Sequence, residues 1–238
     1  MIAALAVAAP AAATSAEVIG RSVEGRPILA YRVGDPGAPM RVLAVGCIHG
    51  TECASFPVIA RLIRQRPPPG VQLWVVPSVN PDGRRAGTRG NTHGVDLNRN
   101  FPFHWRAIAR PSRYYAGPRP LSEPESRAVA RLILGIRPDL SIWYHQPERN
   151  VRDPDASPPA RRYAQLVGLP FLRLAAPPGA VTEWAEYRIP GAEAFVVELP
   201  PGRLAPAAVI RHVAAVRAVA ASATLFGGLR AGTERARR

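Results

Sequence analysis

The chain has 238 residues, 47% of them hydrophobic, which is enough for one sizeable core and too little for two. Its formal net charge of +14 has a positive side made wholly of arginine, because the chain contains no lysine. These arginines are scattered through loops and the tail Arg230-Ala-Gly-Thr-Glu-Arg-Ala-Arg-Arg238, with no nucleic-acid-binding module or interleaved aromatic platform, so no nucleic-acid partner is expected. Such a charge suits attraction to an anionic envelope or to acidic peptides.

Residues 1–16, Met1-Ile-Ala-Ala-Leu-Ala-Val-Ala-Ala-Pro-Ala-Ala-Ala-Thr-Ser-Ala16, resemble the apolar region and small-residue cleavage site of a secretory leader but lack its positively charged beginning. Two readings stay open. Either this is a truncated leader, with the mature protein starting near Glu17 and exported, or it is an Ala-rich disordered tail on a cytoplasmic protein. No later segment approaches the ~20 uninterrupted apolar residues of a membrane helix, so no membrane span is expected in the mature domain.

The apolar run 41–48 reads as a strand buried on both faces, and it ends in His49-Gly-Thr-Glu52, followed by a helical pattern over about 52–65. Cys47 and Cys53, the only cysteines, bracket this loop; they either form a disulfide or serve as small buried hydrophobes. A second run, 71–79, ends in Asn80-Pro-Asp-Gly83 and is followed by Arg89-Gly-Asn91 and Gly94-Val-Asp-Leu-Asn-Arg-Asn-Phe-Pro102. Ser122-Glu-Pro-Glu125 reads as a capping box, Ser122 the N-cap and Glu125 reaching back to it, ahead of a helix over 122–136. The run 140–145 ends in His145, helices are expected over 158–168 and 205–223, and the buried strand 193–199 carries Glu198. Pro-rich stretches at 66–70 and 153–159 read as loops, and His93, His104 and His212 as ordinary surface or loop residues. Alternation of this kind implies a single α/β domain over 17–228, with a mixed, mostly parallel sheet and helices on both faces, followed by a basic disordered tail at 229–238.

Two ligand-type residues on one loop, His49 and Glu52, and a third, His145, at the end of a distant strand form the pattern of a catalytic zinc site with one position left open. H-x-x-E alone is weak, but strand end, tight loop, ligand pair and helix start together place it at the carboxyl edge of an open α/β sheet. Glu198, flanked by Val196, Val197 and Leu199, is costly to bury unless it is paired or bound to something. Asp96 and Arg99 each also have a bland reading, as a turn cap and a structural ion-pair partner.

These motifs, in this order over roughly Gly20 to Val219, resemble the zinc carboxypeptidase family and, within it, the murein peptide amidase branch. The resemblance implies one zinc ion on His49, Glu52 and His145, Glu198 as the catalytic acid and base, and Arg89 as the group that polarises the scissile carbonyl. It further implies that Asn98 and Arg99 hold the substrate's free carboxylate and that Asp96 orients His49. Thr182 and Glu183 fall where the family's specificity pocket lies. Glu183 either meets an amino group on the substrate or is a solvated acid at a helix start. The family's carboxypeptidases carry a tyrosine on the loop ahead of the catalytic strand; here that loop, Leu174-Ala-Ala-Pro-Pro-Gly-Ala-Val-Thr-Glu-Trp184, has none, and Tyr187 lies just beyond it. This departure resembles the murein amidase branch, implying a peptide substrate, in particular an anionic cell-wall peptide cut between D-glutamate and diaminopimelate. A general carboxypeptidase is the nearest alternative; an N-acyl amino acid deacylase and a catalytically dead envelope-binding module stand behind it.

Overall fold

The computed structural model describes residues 14–235, with side chains described as far as Ser222. Eight strands hydrogen-bond into one sheet: β1 (Thr14–Arg21), β2 (Pro27–Val33), β3 (Met40–Val45), β4 (Val71–Val76), β5 (Leu140–His145), β6 (Asn150–Arg152), β7 (Phe171–Leu172) and β8 (Glu193–Glu198). Their order is β1-β2-β4-β3-β5-β8-β6-β7, with β4, β3, β5 and β8 parallel at the centre. β1 and β2 run antiparallel on one side, and β6 pairs antiparallel with β8 on the other. Every residue of β4 and β5 is buried, Gln72 and Ser141 among them, which is why these segments read as mostly apolar runs with no exposed polar face.

Helices cover both faces. α1 (Phe56–Arg64), α4 (Pro158–Val167) and α6 (Pro206–Arg235) pack on one, where Val58, Leu62, Tyr163 and Val216 meet Val42, Ile142, Tyr144 and Phe195. α3 (Pro124–Ile136) and α5 (Val181–Arg188) pack on the other, where Val129, Ile133 and Trp184 meet Leu43, Val45 and Trp143. Successive residues of β5 thus go to opposite cores, as the two-residue period of a strand requires. The short helix α2 (Pro81–Ala86) follows β4. Prolines in the first turns of α1, α2, α3 and α4 cost no hydrogen bond there, and Ser157 caps α4 by accepting from Ala160 N.

Several expectations are corrected. The capping box does not form: Glu123 is the N-cap of α3, and the Ser122 hydroxyl donates to Glu123 Oε1 at 2.6 Å. Glu125 instead accepts from Val23 N at 3.0 Å and from Asn91 Nδ2 at 3.1 Å, so tertiary donors have taken the carboxylate that the local motif would use. His212 is a core residue, bonded through Nδ1 to Tyr163 Oη at 2.8 Å, which in turn meets Tyr144 Oη at 2.8 Å. Burial draws the His212 pKa down to about 4. β1 starts at Thr14, and Thr14 to Ala16 pair with Val33 to Tyr31, inside the stretch read as leader or tail. Residues 1–13 of that stretch lie outside the described residues. At the other end α6 continues to Arg235, through most of the segment 229–238 read as a disordered tail, whose last three residues also lie outside the described ones. α1 begins at Phe56 rather than at residue 52, because the Ser55 hydroxyl is tied to Gly46 O at 2.7 Å and keeps the preceding loop on the strand end.

The four central strands all end at one edge of the sheet, and two loops meet there. Gly50 N donates to Arg89 O at 3.3 Å, and a Cβ on Gly50 would stand 2.1 Å from the carbonyl carbon of Gly83. No real carbon fits there, so Gly50→Ala is expected to push its loop away from α2 and the Arg89 loop that follows it, at roughly 2–3 kcal/mol of stability. Thermal unfolding followed by circular dichroism should show a melting temperature lower by roughly 5–10 °C; an unchanged value would mean that the loops do not meet as described.

Candidate active site

His49 lies on the loop that follows β3, His145 ends β5 and Glu198 ends β8, so the carboxyl ends of three parallel strands bring them to one place. His145 and Glu198 are direct register partners. His49 Nδ1 lies 2.9 Å from Glu52 Oε2 and 3.2 Å from His145 Nδ1, and His145 Nδ1 lies 3.0 Å from Glu52 Oε2. A tetrahedral ion with ligand bonds near 2.0–2.1 Å needs donor atoms about 3.3 Å apart. The three residues, all buried, therefore fit one metal ion with little movement, and they are the one such group among the described residues. Two imidazoles and a carboxylate also suit the borderline character of zinc.

Asp96 fixes the first of these residues. Its Oδ1 accepts from His49 Nε2 at 2.8 Å, which puts the ring proton on Nε2 and leaves the Nδ1 lone pair for a metal. Its Oδ2 accepts from Arg89 Nε at 3.0 Å and Nη2 at 2.9 Å, while Arg89 Nη1 reaches Glu52 Oε1 at 2.5 Å. Burial opposes charge on Asp96, but His49, Arg89 and Arg99 outweigh it and hold the carboxyl well below the usual range. The same contest holds Glu52 down, through the hydrogen bonds of His145 and His49. The two histidines diverge. Burial lowers the pKa of both, yet the charge of Asp96 turns the balance upward at His49, whereas at His145 burial prevails. His145 Nε2 is buried without a hydrogen-bond partner, so this ring lacks the acceptor that His49 has.

The other sequence-predicted residues gather around the same cleft, several of them also tied to the fold. Glu198 lines it, with Oε1 3.7 Å from Arg152 Nη1. Arg99 lines it too, its Nη1 donating to Asn98 O at 2.8 Å. Asn98 lines the cleft; its side-chain oxygen accepts from Val181 N at the start of α5 (3.0 Å), which anchors that helix, while a carboxylate would be met by the amide Nδ2. Thr182 and Glu183 both face the cleft from the first turn of α5; Glu183 Oε1 accepts from Ala176 N at 3.0 Å and braces the preceding loop. Tyr187 is exposed on the outer side of α5 against Phe103, ring centroids 4.9 Å apart, and does not line the cleft.

Several cleft residues escaped the sequence reading, among them Tyr114, Arg152 and Glu186. Tyr114 lies under the guanidinium groups of Arg89, Arg99 and Arg113, each 5.2–5.3 Å from its ring centroid. Arg152 sits on β6, and Glu186 on α5, where its Oε1 accepts from Ala194 N at 2.8 Å. Burial first, then the like charges of Asp153, Asp155 and Glu183, push the Glu186 pKa up to about 7. All three stand in short segments with no periodic signal. Cys47 and Cys53 are joined in a disulfide, so the ring they close contains both His49 and Glu52.

Comparison with known proteins agrees with this geometry. Residues 69–152 match the model of the zinc carboxypeptidase family. The murein peptide amidase A of Escherichia coli strain K12 is 32% identical over 182 residues, covering 71% of this chain and 75% of that protein. The Vibrio campbellii murein peptide amidase A is 32% identical over 197 residues, covering 76% and 78%. The crystal structure of the murein-tripeptide amidase from Escherichia coli O157 superposes with a TM-score of 0.71 at 29% identity, over 87% of this chain and 91% of that one.

Asp96→Asn should weaken zinc binding by roughly 10–100-fold in competition against a chromophoric chelator; unchanged affinity would separate Asp96 from the metal ligand. Glu186 gives a pH signature. The unfolded carboxyl loses its proton near 4.5 and the folded one only at about 7, so stability falls as pH rises between those values. Glu186→Gln escapes that loss. Its melting temperature should match the parent's at about pH 4 and exceed it at about pH 8; a constant offset at both would contradict the burial argument.

Proposed function

The chain belongs to the zinc carboxypeptidase family, and we propose that it is a zinc-dependent amidase that hydrolyses the bond between D-glutamate and diaminopimelate in cell-wall peptides. The observation that carries the hydrolytic reading is the convergence of His49 Nδ1, Glu52 Oε2 and His145 Nδ1 within 3.2 Å of one another, with Glu198 the register neighbour of His145. The murein substrate is supported by the two relatives that carry that name and by a loop before β8 without the tyrosine of carboxypeptidases.

His49, Glu52 and His145 would hold the zinc ion, which when bound supplies Lewis acidity and lowers the pKa of a coordinated water to about 7. Glu198 accepts a proton from the attacking water and passes it to the departing amine as the amide C–N bond breaks, so one carboxylate serves as base and then as acid. Arg99 grips the free carboxylate beside the scissile bond through paired N–H groups and fixes the angle of that end of the substrate. Arg89 stabilises the charge that develops on the carbonyl oxygen. To reach that oxygen it keeps Asp96 and exchanges Glu52 Oε1 for the substrate. Asn98 donates from Nδ2 to the same carboxylate that Arg99 grips, while its Oδ1 holds the first turn of α5 and with it Thr182 against the cleft. The Cys47–Cys53 disulfide favours action in an oxidising compartment outside the cytosol.

Glu198→Gln should keep zinc and lower kcat by roughly 10²–10⁴-fold, whereas His49→Ala should lose the metal as well. Zinc content by atomic absorption alongside turnover separates the two effects. Near-parental activity in the Glu198 variant would overturn this mechanism.

A further inference from the structure

Among the charged groups that line the cleft without a part in the hydrolysis are two of opposite sign, Arg152 and Glu186. Ala194, Val196 and Glu198 alternate along β8 and all face the cleft, so they make a floor that leads away from the catalytic carboxylate. Arg152 is the register partner of Val196, and Glu186 is anchored to Ala194 N at 2.8 Å. Their attachment points are thus one two-residue step apart on the same face, about 7 Å along the strand.

The fold does not consume either charge. Arg152 Nε donates to Asn150 Oδ1 at 2.9 Å, and Nη2 pairs with Glu148, whose side chain is 54% exposed, an ion pair of little energetic worth. Nη1 stands 3.7 Å from Glu198 Oε1, too far for a hydrogen bond. Glu186 accepts a backbone hydrogen bond from Ala194 N, and the strongest charges acting on it, from Asp153, Asp155 and Glu183, are acidic, so the partner that would suit it is a cation. Glu183 faces the same wall but braces the loop at Ala176.

We propose that Arg152 and Glu186 together read a zwitterionic group at the far end of the substrate's terminal side chain, Arg152 taking its carboxylate and Glu186 the ammonium on the same carbon. A diaminopimelate side chain ends in such a group, a lysine side chain in the ammonium alone, and an aliphatic side chain in neither. The inference rests on the substrate reading given under Proposed function and adds how the distal end of that residue is recognised. It makes Arg152 and Glu186 specificity-determining residues of the pocket.

The test is calorimetric binding to the zinc-loaded full chain of four free amino acids: meso-diaminopimelate, lysine, 2-aminopimelate and norleucine. They carry both distal groups, the amine alone, the carboxylate alone and neither. The parent should bind diaminopimelate most tightly. Arg152→Gln should weaken diaminopimelate and 2-aminopimelate by roughly tenfold or more and leave lysine and norleucine unchanged. Glu186→Gln should weaken diaminopimelate and lysine and spare the other two; the unchanged ligands certify in each case that the variant is folded. Equal weakening of all four by Arg152→Gln would place that residue on Glu198 or the fold and overturn the proposal, as would a parent with no preference among them. Cleavage of a glutamyl-diaminopimelate peptide is scored separately. Its absence, with ligand discrimination intact, would count against the scissile bond and not against the pocket.

Discussion

One buried carboxylate, Asp96, is the interaction on which the site depends. Stripping water from such a group costs several kcal/mol unless every lone pair is matched. Here the matches are His49 Nε2, Asn98 N and two donors of Arg89, with Arg99 4.0 Å away. Each match does something for the chemistry. The bond to His49 chooses the tautomer that exposes Nδ1; the bond to Asn98 N caps the turn that presents Asn98 and Arg99; and the pair to Arg89 sets a guanidinium that itself reaches Glu52. Two of the three side chains that could hold a metal and both family arginines are therefore aimed by a single charge. The third of that group, His145, is held by topology instead, as the last residue of a central strand in register with Glu198.

The cleft is electrically two-sided. Tyr114 gathers Arg89, Arg99 and Arg113 over its ring, while α5 presents Glu183 and Glu186. A substrate that carries a free carboxylate and an amine can span the two walls in one orientation only, so the charge pattern would act on register as much as on affinity. The disulfide adds a covalent constraint at the same edge, closing the ring that carries His49 and Glu52.

Much of this was legible in the sequence because the chemistry sits at the ends of buried strands. The run 140–145 matches β5 residue for residue, and the strand with Glu198 ends one residue earlier than read. A central parallel strand has no polar face, so its limits show as a run of apolar residues that stops at a functional one. Elements without that contrast were missed. β1 is an exposed edge strand, β6 and β7 are two or three residues long, and α5 is short and charged, so none has a periodicity to read. Arg152 and Glu186 were hidden with them. The capping box at Ser122 failed for a different reason: its local pattern was sound, but Val23 N and Asn91 lie some hundred and some thirty residues back in sequence and offered Glu125 better partners. His212, likewise, looked ordinary until α4 placed Tyr163 against it.

The central claim is that these residues form a zinc amidase for a glutamyl-diaminopimelate bond. Its most direct test is to incubate the protein with the murein tripeptide and with a panel of peptides bearing ordinary C-terminal residues, each with added zinc or with a chelator, and to identify the products by mass spectrometry. Zinc-dependent release of diaminopimelate from the tripeptide, with the ordinary peptides left intact, is the expected result. Trimming of the ordinary peptides while the tripeptide survives would contradict it and make the protein a general carboxypeptidase.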